Sequence, residues 1–281
     1  MKRNRELSKQ LSLIPGYLLL GTWCLFTFLV IGWIILASFS TTPNIFQNNL
    51  FKDGLHPENY TKALITHNVA RYFINSLIYT ITSCIGIIVV SAPAAYILAR
   101  FKFKFNSSIQ KIFVTALGIP AIMIIMPLFG IITSLKMTNS RLVLIILYIG
   151  INVPFTIFFL ITFFKTLSFT FEEAAAIDGC SPIKTFWIIM LPLAQPGIIT
   201  VTIFNFITVW NEYFMALIFA NKGDMRPVAV GLFSMIQSMR YTGDWAGMFA
   251  AVVIVFLPTF ILYILLSQKI IANVTGGAIK G

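Results

Sequence analysis

Long apolar stretches separated by short polar segments dominate the 281 residues of the chain. About 20 apolar residues are needed for a helix to cross the roughly 30 Å of hydrocarbon in a bilayer, because a helix rises about 1.5 Å per residue. No stretch alternates apolar and polar positions as the strands of a membrane barrel do. The pattern therefore predicts an all-α integral membrane protein with six transmembrane helices, at residues 17–39, 73–98, 112–135, 142–164, 197–220 and 246–268.

The composition supports the same class. Hydrophobic residues make up 58% of the chain and charged residues 10%, whereas a soluble domain is about half apolar and a quarter charged. This balance excludes a soluble cytoplasmic enzyme, a secreted disulfide scaffold and a disordered regulator. No repeat or low-complexity linker divides the sequence, so we expect a single transmembrane domain over residues 1–281.

The net charge of +11 follows the predicted membrane topology. Four basic residues precede the first span, and the short loop 100–111 between spans two and three is strongly basic, so the positive-inside rule places both segments in the cytoplasm. The first span is too long for a signal peptide and is predicted to remain as an anchor. Six spans then put the C-terminal tail, 269–281, in the cytoplasm as well.

The outer segments carry turn signals and few long apolar runs. We expect residues 40–72 to be irregular, with one short helix near 59–66, and residues 228–239 to form a helix at or partly within the outer surface. The segment 221–245 suggests no function of its own. Prolines within the spans favour kinks that face protein or water, although membrane helices contain more proline than soluble ones in any case. These prolines are Pro93, Pro120, Pro127, Pro154 and Pro258.

The cysteines and histidines predict no metal site. Cys24 and Cys84 fall in spans and Cys180 in an inner loop, and no spacing among them suggests a disulfide or ligand set. His56 and His67 both lie in the outer segment before span two, where solvated loop histidines are expected. The basic residues follow the membrane boundaries, so no nucleic-acid partner is predicted.

The inner loop 165–196 has the signals of two short helices. Acidic residues and alanines at 172–176 favour the start of the first helix, and Gly179 suits a left-handed cap at its end. Ser181 is a good N-cap for the second helix, with Pro182 in its first position and 191–192 at its end. A compact two-helix projection is predicted, with apolar contact residues Ala175, Ile177, Ile183, Phe186 and Trp187.

This loop resembles a known family signature. Glu-Ala-Ala at 173–175, Gly179, Ile189 and Leu-Pro at 191–192 match the signature loop of permease subunits in binding-protein-dependent ATP-binding cassette importers. Weaker matches at 94–101, 210–214 and 276–281 resemble the maltose-type carbohydrate-uptake branch. Cys180 departs from the usual alanine.

The resemblance implies a multi-pass protein of the bacterial inner membrane, with an N-terminal anchor and a five-helix core. In that family the loop is the coupling helix that docks on the ATPase subunits. Glu173 would pair with a basic group there and Gly179 would allow a close turn. The implied coupling residues are Glu173, Ala174, Ala175, Asp178, Gly179, Ile183, Phe186, Leu191 and Pro192.

The implied partners are two ATPase subunits, a second permease subunit that is usually a different chain, and an extracytoplasmic sugar-binding protein, in addition to membrane lipid. The chain itself is predicted to bind no cofactor, with ATP and Mg on the partner ATPase. Residues 179–185 are not a phosphate loop, because Ile183 stands where the second glycine is required and no strand precedes it. No catalytic arrangement is visible, so a transport subunit without enzymatic activity is predicted.

Two other classes remain as alternatives. An ion- or proton-driven secondary transporter normally places ionisable groups near the bilayer midplane and uses paired repeats, and the chain shows neither clearly. A purely structural membrane subunit would leave the two-helix loop unexplained. Uptake of a sugar or oligosaccharide driven by ATP is the function that the resemblance implies.

Polar and aromatic residues within the spans are candidates for lining a substrate path. A carboxylate in hydrocarbon marks a pathway or a pairing residue, and sugar sites combine amides with aromatic faces. Bonds between helices and aromatic belts at the membrane surface explain the same residue types equally well. The candidates are Tyr148, Asn152, Asn205, Trp210, Asn211, Glu212 and Tyr213.

Overall fold

The computed structural model describes the backbone of residues 2–278 and the side chains of residues 13–238 and 241–265. Every regular element in this part of the chain is helical, in agreement with the predicted class. A five-residue π-helical turn, Phe186–Met190, joins α9 to α10. The α-helices are α1 (Lys2–Ser38), α2 (Thr42–Phe46), α3 (Glu58–Ile65), α4 (Val69–Arg100), α5 (Asn106–Leu117), α6 (Ala121–Ser134), α7 (Arg141–Thr166), α8 (Thr170–Ile177), α9 (Pro182–Thr185), α10 (Leu191–Leu193), α11 (Gln195–Trp210), α12 (Phe214–Phe219), α13 (Val228–Thr242) and α14 (Trp245–Ala278).

Four helical segments are long and apolar enough to cross a membrane, and they coincide with predicted spans one, two, four and six. They are Leu13–Ser38 of α1, all of α4, all of α7, and Trp245–Leu265 of α14. Two bent helix pairs in the regions of spans three and five meet the same test when each pair is taken together. The described residues thus provide between four and six spans by length and composition.

The third predicted span is sharply bent at Pro120, one of the prolines expected to kink the spans. The region 112–135 forms α5 and α6, whose axes meet at 96° across Gly118, Ile119 and Pro120. Pro120 has no N–H for a helical hydrogen bond and disfavours helical geometry at Ile119, so the helix ends before it. α5 and α6 have 12 and 14 residues, and each is too short to cross a bilayer alone.

The fifth span is also interrupted. α11 ends at Trp210 and a separate helix, α12, follows after residues 211–213, whereas one helix was expected to Ala220. At its other end, α11 meets the preceding helical segment, Pro182–Leu193, at 72°. The remaining prolines of the spans, apart from Pro120, lie inside described helices.

The chain divides into two compact units, residues 1–68 with 234–256, and residues 69–233 with 257–281. In the first unit, Ala37, Ile45 and Ala246 form a small apolar core. The short helix expected near 59–66 is confirmed as α3, and α2 is an additional helix in the same outer segment. The last three residues of the predicted tail, 279–281, lie outside the described residues.

A polar trio in the first unit corrects the expectation that both histidines are solvated. His67 has a side chain only 14% exposed, and its Nε2 lies 2.8 Å from Asp244 Oδ2, which Lys62 Nζ approaches at 2.9 Å. Burial raises the pKa of Asp244, but the hydrogen bonds from His67, Lys62 and the Gly247 N–H outweigh it, so the pKa lies below its ordinary value. In the part of the chain whose side chains are described, no cluster of potential metal ligands is found.

The second unit contains the loop 165–196 and the helices on which it rests. α4 packs along α7, and α11 packs against both. One apolar core surrounds Leu144, Tyr148 and Phe219, and another surrounds Tyr96 and Phe164 next to the loop. The helix predicted at 228–239 is confirmed as the larger part of α13.

Candidate functional site

The loop 165–196 forms the predicted pair of helices, joined by a tight turn. Gly179 has φ +75°, its N–H bonds to the Ala176 carbonyl at 3.1 Å, and the Cys180 N–H bonds to the Ala175 carbonyl at 2.8 Å. This pair of bonds is the Schellman arrangement, which requires a left-handed residue and so favours glycine. A β-carbon built on Gly179 meets nothing within 4 Å, so the backbone at the tip of the loop is open to an approaching partner.

The second helix begins as predicted and ends later than predicted. The Ser181 hydroxyl accepts a hydrogen bond from the Lys184 N–H at 3.4 Å, and Pro182 occupies the first turn. The helix does not stop at Leu191 and Pro192, because the π-helical turn leads into α10, which ends at Leu193. A π turn accommodates one extra residue per turn and often occurs at functional sites.

The predicted contact residues of the loop separate into an outward and an inward set. Ile177, Ile183 and Trp187 are 87%, 74% and 54% exposed, whereas Ala175 and Phe186 are 1% and 5% exposed. Ala175 and Phe186 therefore stabilise the loop from beneath and do not form its surface. Among the other implied coupling residues, Glu173, Ala174, Asp178, Gly179 and Pro192 are exposed, while Leu191 is partly buried in the core next to the loop.

A guanidinium group at the end of α4 holds the base of the loop. The Arg100 side chain is 2% exposed. Its Nε donates to both carboxylate oxygens of Glu172, at 2.9 and 3.0 Å, and its Nη2 bonds to the same carboxylate and to the Ser168 carbonyl. Its Nη1 donates to the carbonyls of Phe164 and Leu167 at 3.3 and 3.0 Å.

This arrangement connects three elements through one side chain. The carbonyls lie at the end of α7 and just beyond it, and the carboxylate belongs to the first turn of α8. The Phe169 ring also packs on the guanidinium, with its centroid 3.7 Å from Cζ. Charge-assisted, forked hydrogen bonds of this kind are directional and strong. Arg100 therefore fixes α8 relative to the ends of α4 and α7.

Sequence reasoning missed this pair. Arg100 was placed in the basic inner loop and in the weaker family match at 94–101, and Glu172 at the start of a helix, without any pairing between them. The signal in the sequence was limited to two opposite charges at predicted inner helix ends, 72 positions apart. Such a pairing becomes visible only once the packing of α4 against α7 is known.

A second feature of the same unit is a cavity of about 180 Å³ at the interrupted part of the fifth span. Tyr148, Asn152 and Glu212 line it together with Thr208 and several apolar side chains. Three of the seven candidate path residues thus share one cavity.

The cost of placing Glu212 among apolar residues is offset by hydrogen bonds. Oε1 accepts from the Met215 N–H at 2.7 Å, and Oε2 accepts from the Ala216 N–H at 3.1 Å and from the Tyr148 hydroxyl at 2.9 Å. The two N–H groups belong to the first turn of α12, where a carboxylate satisfies donors that have no helical partner. Glu212 therefore stabilises the break between α11 and α12.

The other four candidates do not line this cavity. Asn205 is 1% exposed and its Nδ2 donates to the Thr156 hydroxyl at 3.0 Å, which joins α11 to α7. Trp210 is 2% exposed and stacks on Phe206. Asn211 is exposed with its amide bonded to the Ile207 carbonyl, and Tyr213 packs edge-on against Phe233. These contacts are structural ones within the unit.

Comparison with known proteins identifies the family. The model of the family described as "Binding-protein-dependent transport system inner membrane component" matches residues 87–271, which include the loop, the Arg100 pair and the cavity. The chain belongs to this family. It is therefore a permease component of the bacterial inner-membrane type, with several membrane-spanning helices.

Relatives of known role extend the similarity over nearly the whole permease. It is 31% identical to the diacetylchitobiose uptake system permease of Streptomyces coelicolor, over 94% of this chain and 88% of the relative. It is 33% identical to the trehalose/maltose transport system permease of Thermococcus litoralis, over 98% of this chain and 99% of the relative.

A solved structure confirms the fold. The permease superposes on a chain from the crystal structure of a bacterial ABC transporter involved in the import of the acidic polysaccharide alginate, with a TM-score of 0.81. The match covers 93% of this chain and 97% of that chain, at 23% sequence identity.

Proposed function

We propose that this permease is one half of the membrane channel of an ATP-binding cassette importer, and that it moves a sugar or oligosaccharide into the cytoplasm. The observation that carries the proposal is the exposed two-helix loop within a chain of this family. The relatives of known role that were named above serve saccharide uptake, which supports a carbohydrate as the substrate.

The loop would dock on a separate ATPase subunit. Its outward face combines the exposed carboxylate of Glu173, the open backbone of Gly179 and the apolar side chains of Ile177 and Ile183. Apolar side chains on such a small projection favour contact with a second protein, and the carboxylate provides an ionic partner for a basic group. ATP and Mg would bind to the ATPase subunits and not to this chain.

Motion of the docked subunit would reach the membrane helices through the base of the loop. Arg100 connects α8 to α4 and α7 by bonds to Glu172 and to three carbonyls. Phe186, on the other arm of the loop, is 5% exposed and packs against Tyr96 of α4, with ring centroids 5.1 Å apart. A rigid body that is attached at both arms transmits displacement, as domain motions in alternating-access proteins require.

The substrate path is proposed to pass the cavity that contains Tyr148, Asn152 and Glu212, in which polar groups converge within an apolar lining. For the remaining partners, we propose a second permease subunit and an extracytoplasmic sugar-binding protein. The proposed topology has six spans, with both termini and the loop in the cytoplasm.

An uptake assay distinguishes this function from the ion-driven alternative. The complete transporter is reconstituted in vesicles with its binding protein. Uptake of labelled sugar is measured with ATP on the side of the membrane that carries the loop 165–196. We expect uptake to survive collapse of the ion and proton gradients and to stop without ATP. Uptake that follows the gradients and ignores ATP would establish a secondary transporter instead.

A substitution at the tip of the loop tests the docking step. Gly179→Trp places a large side chain where the structure has open space, so we expect normal insertion but loss of ATP-coupled uptake. Gly179→Ala is the matched control, because it introduces the same left-handed strain, about 1–2 kcal/mol, without the bulk. Equal uptake by the Gly179→Trp and Gly179→Ala variants would contradict docking at this tip.

A further inference from the structure

The loop 165–196 connects α7 directly to α11, and both helices extend from the loop towards the cavity that contains Glu212. Among the described side chains, contacts at three levels join the two helices between the loop and this cavity. The proposed docking uses the loop and the proposed sugar path uses the cavity. The contacts between them determine whether the loop and the cavity move together.

The first contact lies next to the loop. A β-carbon built on Gly197 of α11 would lie 2.5 Å from Cγ of Phe163 on α7, so the backbone of α11 lies directly on this ring. A larger residue would displace the ring or the helix. The neighbouring Phe164 carbonyl accepts a hydrogen bond from Arg100, which also holds Glu172. Both arms of the loop are therefore attached to the same turn of α7.

The second contact is a hydrogen bond between buried side chains. Asn205 Nδ2 of α11 donates to the Thr156 hydroxyl of α7 at 3.0 Å, and the two residues are 1% and 0% exposed. The neighbouring ring of Phe204 packs edge-on against Phe155 and Phe159 of α7, with centroids 6.2 and 6.4 Å away. In an apolar environment a buried polar group is costly without its partner, so this bond favours one alignment of the two helices.

The third contact is the bond from the Tyr148 hydroxyl to Glu212. A row of polar side chains on α7 connects it to the second contact. Tyr148, Asn152 and Thr156 are four positions apart and therefore lie on one face of the helix. The Thr156 hydroxyl donates to the Asn152 carbonyl at 2.9 Å, and Asn152 Nδ2 donates to the Tyr148 carbonyl at 2.8 Å. Asn205 is thus linked to Glu212 through a continuous row of hydrogen-bonded groups.

The three contacts share one antiparallel register. From the loop to the cavity they use positions 163, 156 and 148 on α7, and positions 197, 205 and 212 on or just after α11. Successive contacts are therefore seven or eight residues apart on each segment, which is about two helical turns. A shift of one helix along the other by a single turn would break all of them.

We propose that Asn205 and Thr156 are positioning residues for transport, which keep α7 and α11 in register so that a displacement of the loop also moves the Glu212 wall of the cavity. This inference rests on the proposed function and adds the route by which the loop acts on the substrate path. The Asn205 bond lies about 12 Å along α11 from the contact at Gly197, so it acts on the cavity through the helix and does not touch a docked subunit.

Replacing Asn205 with leucine tests this role. The change removes the bond at similar volume, and the Thr156 hydroxyl keeps its bond to the Asn152 carbonyl, so we expect the permease to fold. A hydrogen bond between membrane helices changes an equilibrium about threefold. We therefore expect uptake of labelled sugar per ATP hydrolysed to fall about threefold in the reconstituted transporter, at unchanged thermal stability.

Two variants separate positioning from a general loss of packing. Thr162→Val is the matched control, because the Thr162 hydroxyl of α7 bonds to the Phe158 carbonyl of its own helix, and this variant should keep the ratio of uptake to hydrolysis. The exchange of Thr156→Asn with Asn205→Thr places the same two groups on opposite helices and should restore the ratio. An unchanged ratio in Asn205→Leu, or an equal loss in Thr162→Val, would overturn the proposal.

A distance measurement tests the register without sugar. Spin labels are attached at Ile146→Cys of α7 and Asn211→Cys after α11, both exposed positions, in a transporter whose native cysteines are replaced by serine. We expect the same distance with and without ATP, whereas in the Asn205→Leu background ATP should shift it by more than about 2 Å, the range of helix sliding. Such a shift in the background with Asn205 intact would overturn the proposal. Absence of sugar uptake by the unaltered transporter would instead contradict the proposed function, and the distances would still decide the register.

Discussion

Replacing Arg100 with alanine tests the attachment of the loop most directly. The substitution removes the buried guanidinium and leaves the Glu172 carboxylate, 17% exposed, without its cation. It also removes the donors that Arg100 provides to three carbonyls, those of Phe164, Leu167 and Ser168. Removing one partner of a buried ion pair costs about 3–5 kcal/mol. Because the pair lies at the end of the helices, where water can reach the carboxylate, we expect about 3 kcal/mol.

That free energy corresponds to a reduction of about a hundredfold in the equilibrium constant for attachment of the loop to the ends of α4 and α7. Hydrogen-deuterium exchange of the amides in α8 and its flanks measures it, since local opening controls their exchange. Sugar uptake and ATP hydrolysis by the assembled transporter are measured beside it. We expect faster exchange in α8 and hydrolysis that no longer drives uptake, with membrane insertion retained.

Three further variants test whether the effect comes from the pairing of Arg100 with Glu172. Arg100→Lys keeps the charge but not the fork, so its effect should lie between those of the unaltered chain and Arg100→Ala. Lys111→Ala removes a charge from the same inner segment and should change neither exchange nor uptake. In the double variant with Glu172→Ala, the loss should be less than the sum of the single losses. Strict additivity of the two losses would refute the pairing.

Three other substitutions follow from the same structure. Glu173→Lys should weaken co-purification of the ATPase subunits without unfolding the permease, and undiminished association would refute ionic docking at this position. Glu212→Gln should lower the thermal unfolding temperature, because the NH2 group of the glutamine would face the N–H groups of α12 or the Tyr148 hydroxyl, which donate to the carboxylate, at a cost of about 1–3 kcal/mol. Equal thermal stability of the variant would exclude a capping role for Glu212. Asp244 has a lowered pKa, so its contribution to stability is complete above its ordinary pKa of 3.8 and is lost as the pH falls through the lower folded value. Asp244→Asn should remove this acid sensitivity of the free energy of unfolding. An unchanged dependence of unfolding on pH would contradict this expectation.

The sequence predicted the parts of the fold that depend on local pattern. Long apolar runs gave α1, α4, α7 and α14, because length and composition alone determine whether a helix can cross a bilayer. The turn at Gly179 was also predictable, since it needs a residue that adopts positive φ. Pro120 itself predicted a kink, but not the size of the bend, because the hydropathy of a segment does not depend on the direction of its helix axis.

Features that depend on packing were not predictable. The bond between Arg100 and Glu172 joins segments far apart in sequence, and nothing local selects one carboxylate over its neighbour. Burial of Ala175 and Phe186 beneath the loop likewise depends on which face of a short helix meets α4. Glu212 was recognised as costly in a membrane, but its partners on α12 appear only after the fifth span is seen to be interrupted.

The bonds of Glu212 limit what a solute would meet in its cavity. A carboxylate offers about four acceptor positions, and three are occupied by the Met215 and Ala216 N–H groups and the Tyr148 hydroxyl. One position remains, on an oxygen that is already held in place and need not reorganise. A solute that passed this cavity, as proposed above, would find one acceptor for a single hydroxyl group and no free donor on this side chain, so this wall would favour a hydroxyl over a group that can only accept hydrogen bonds.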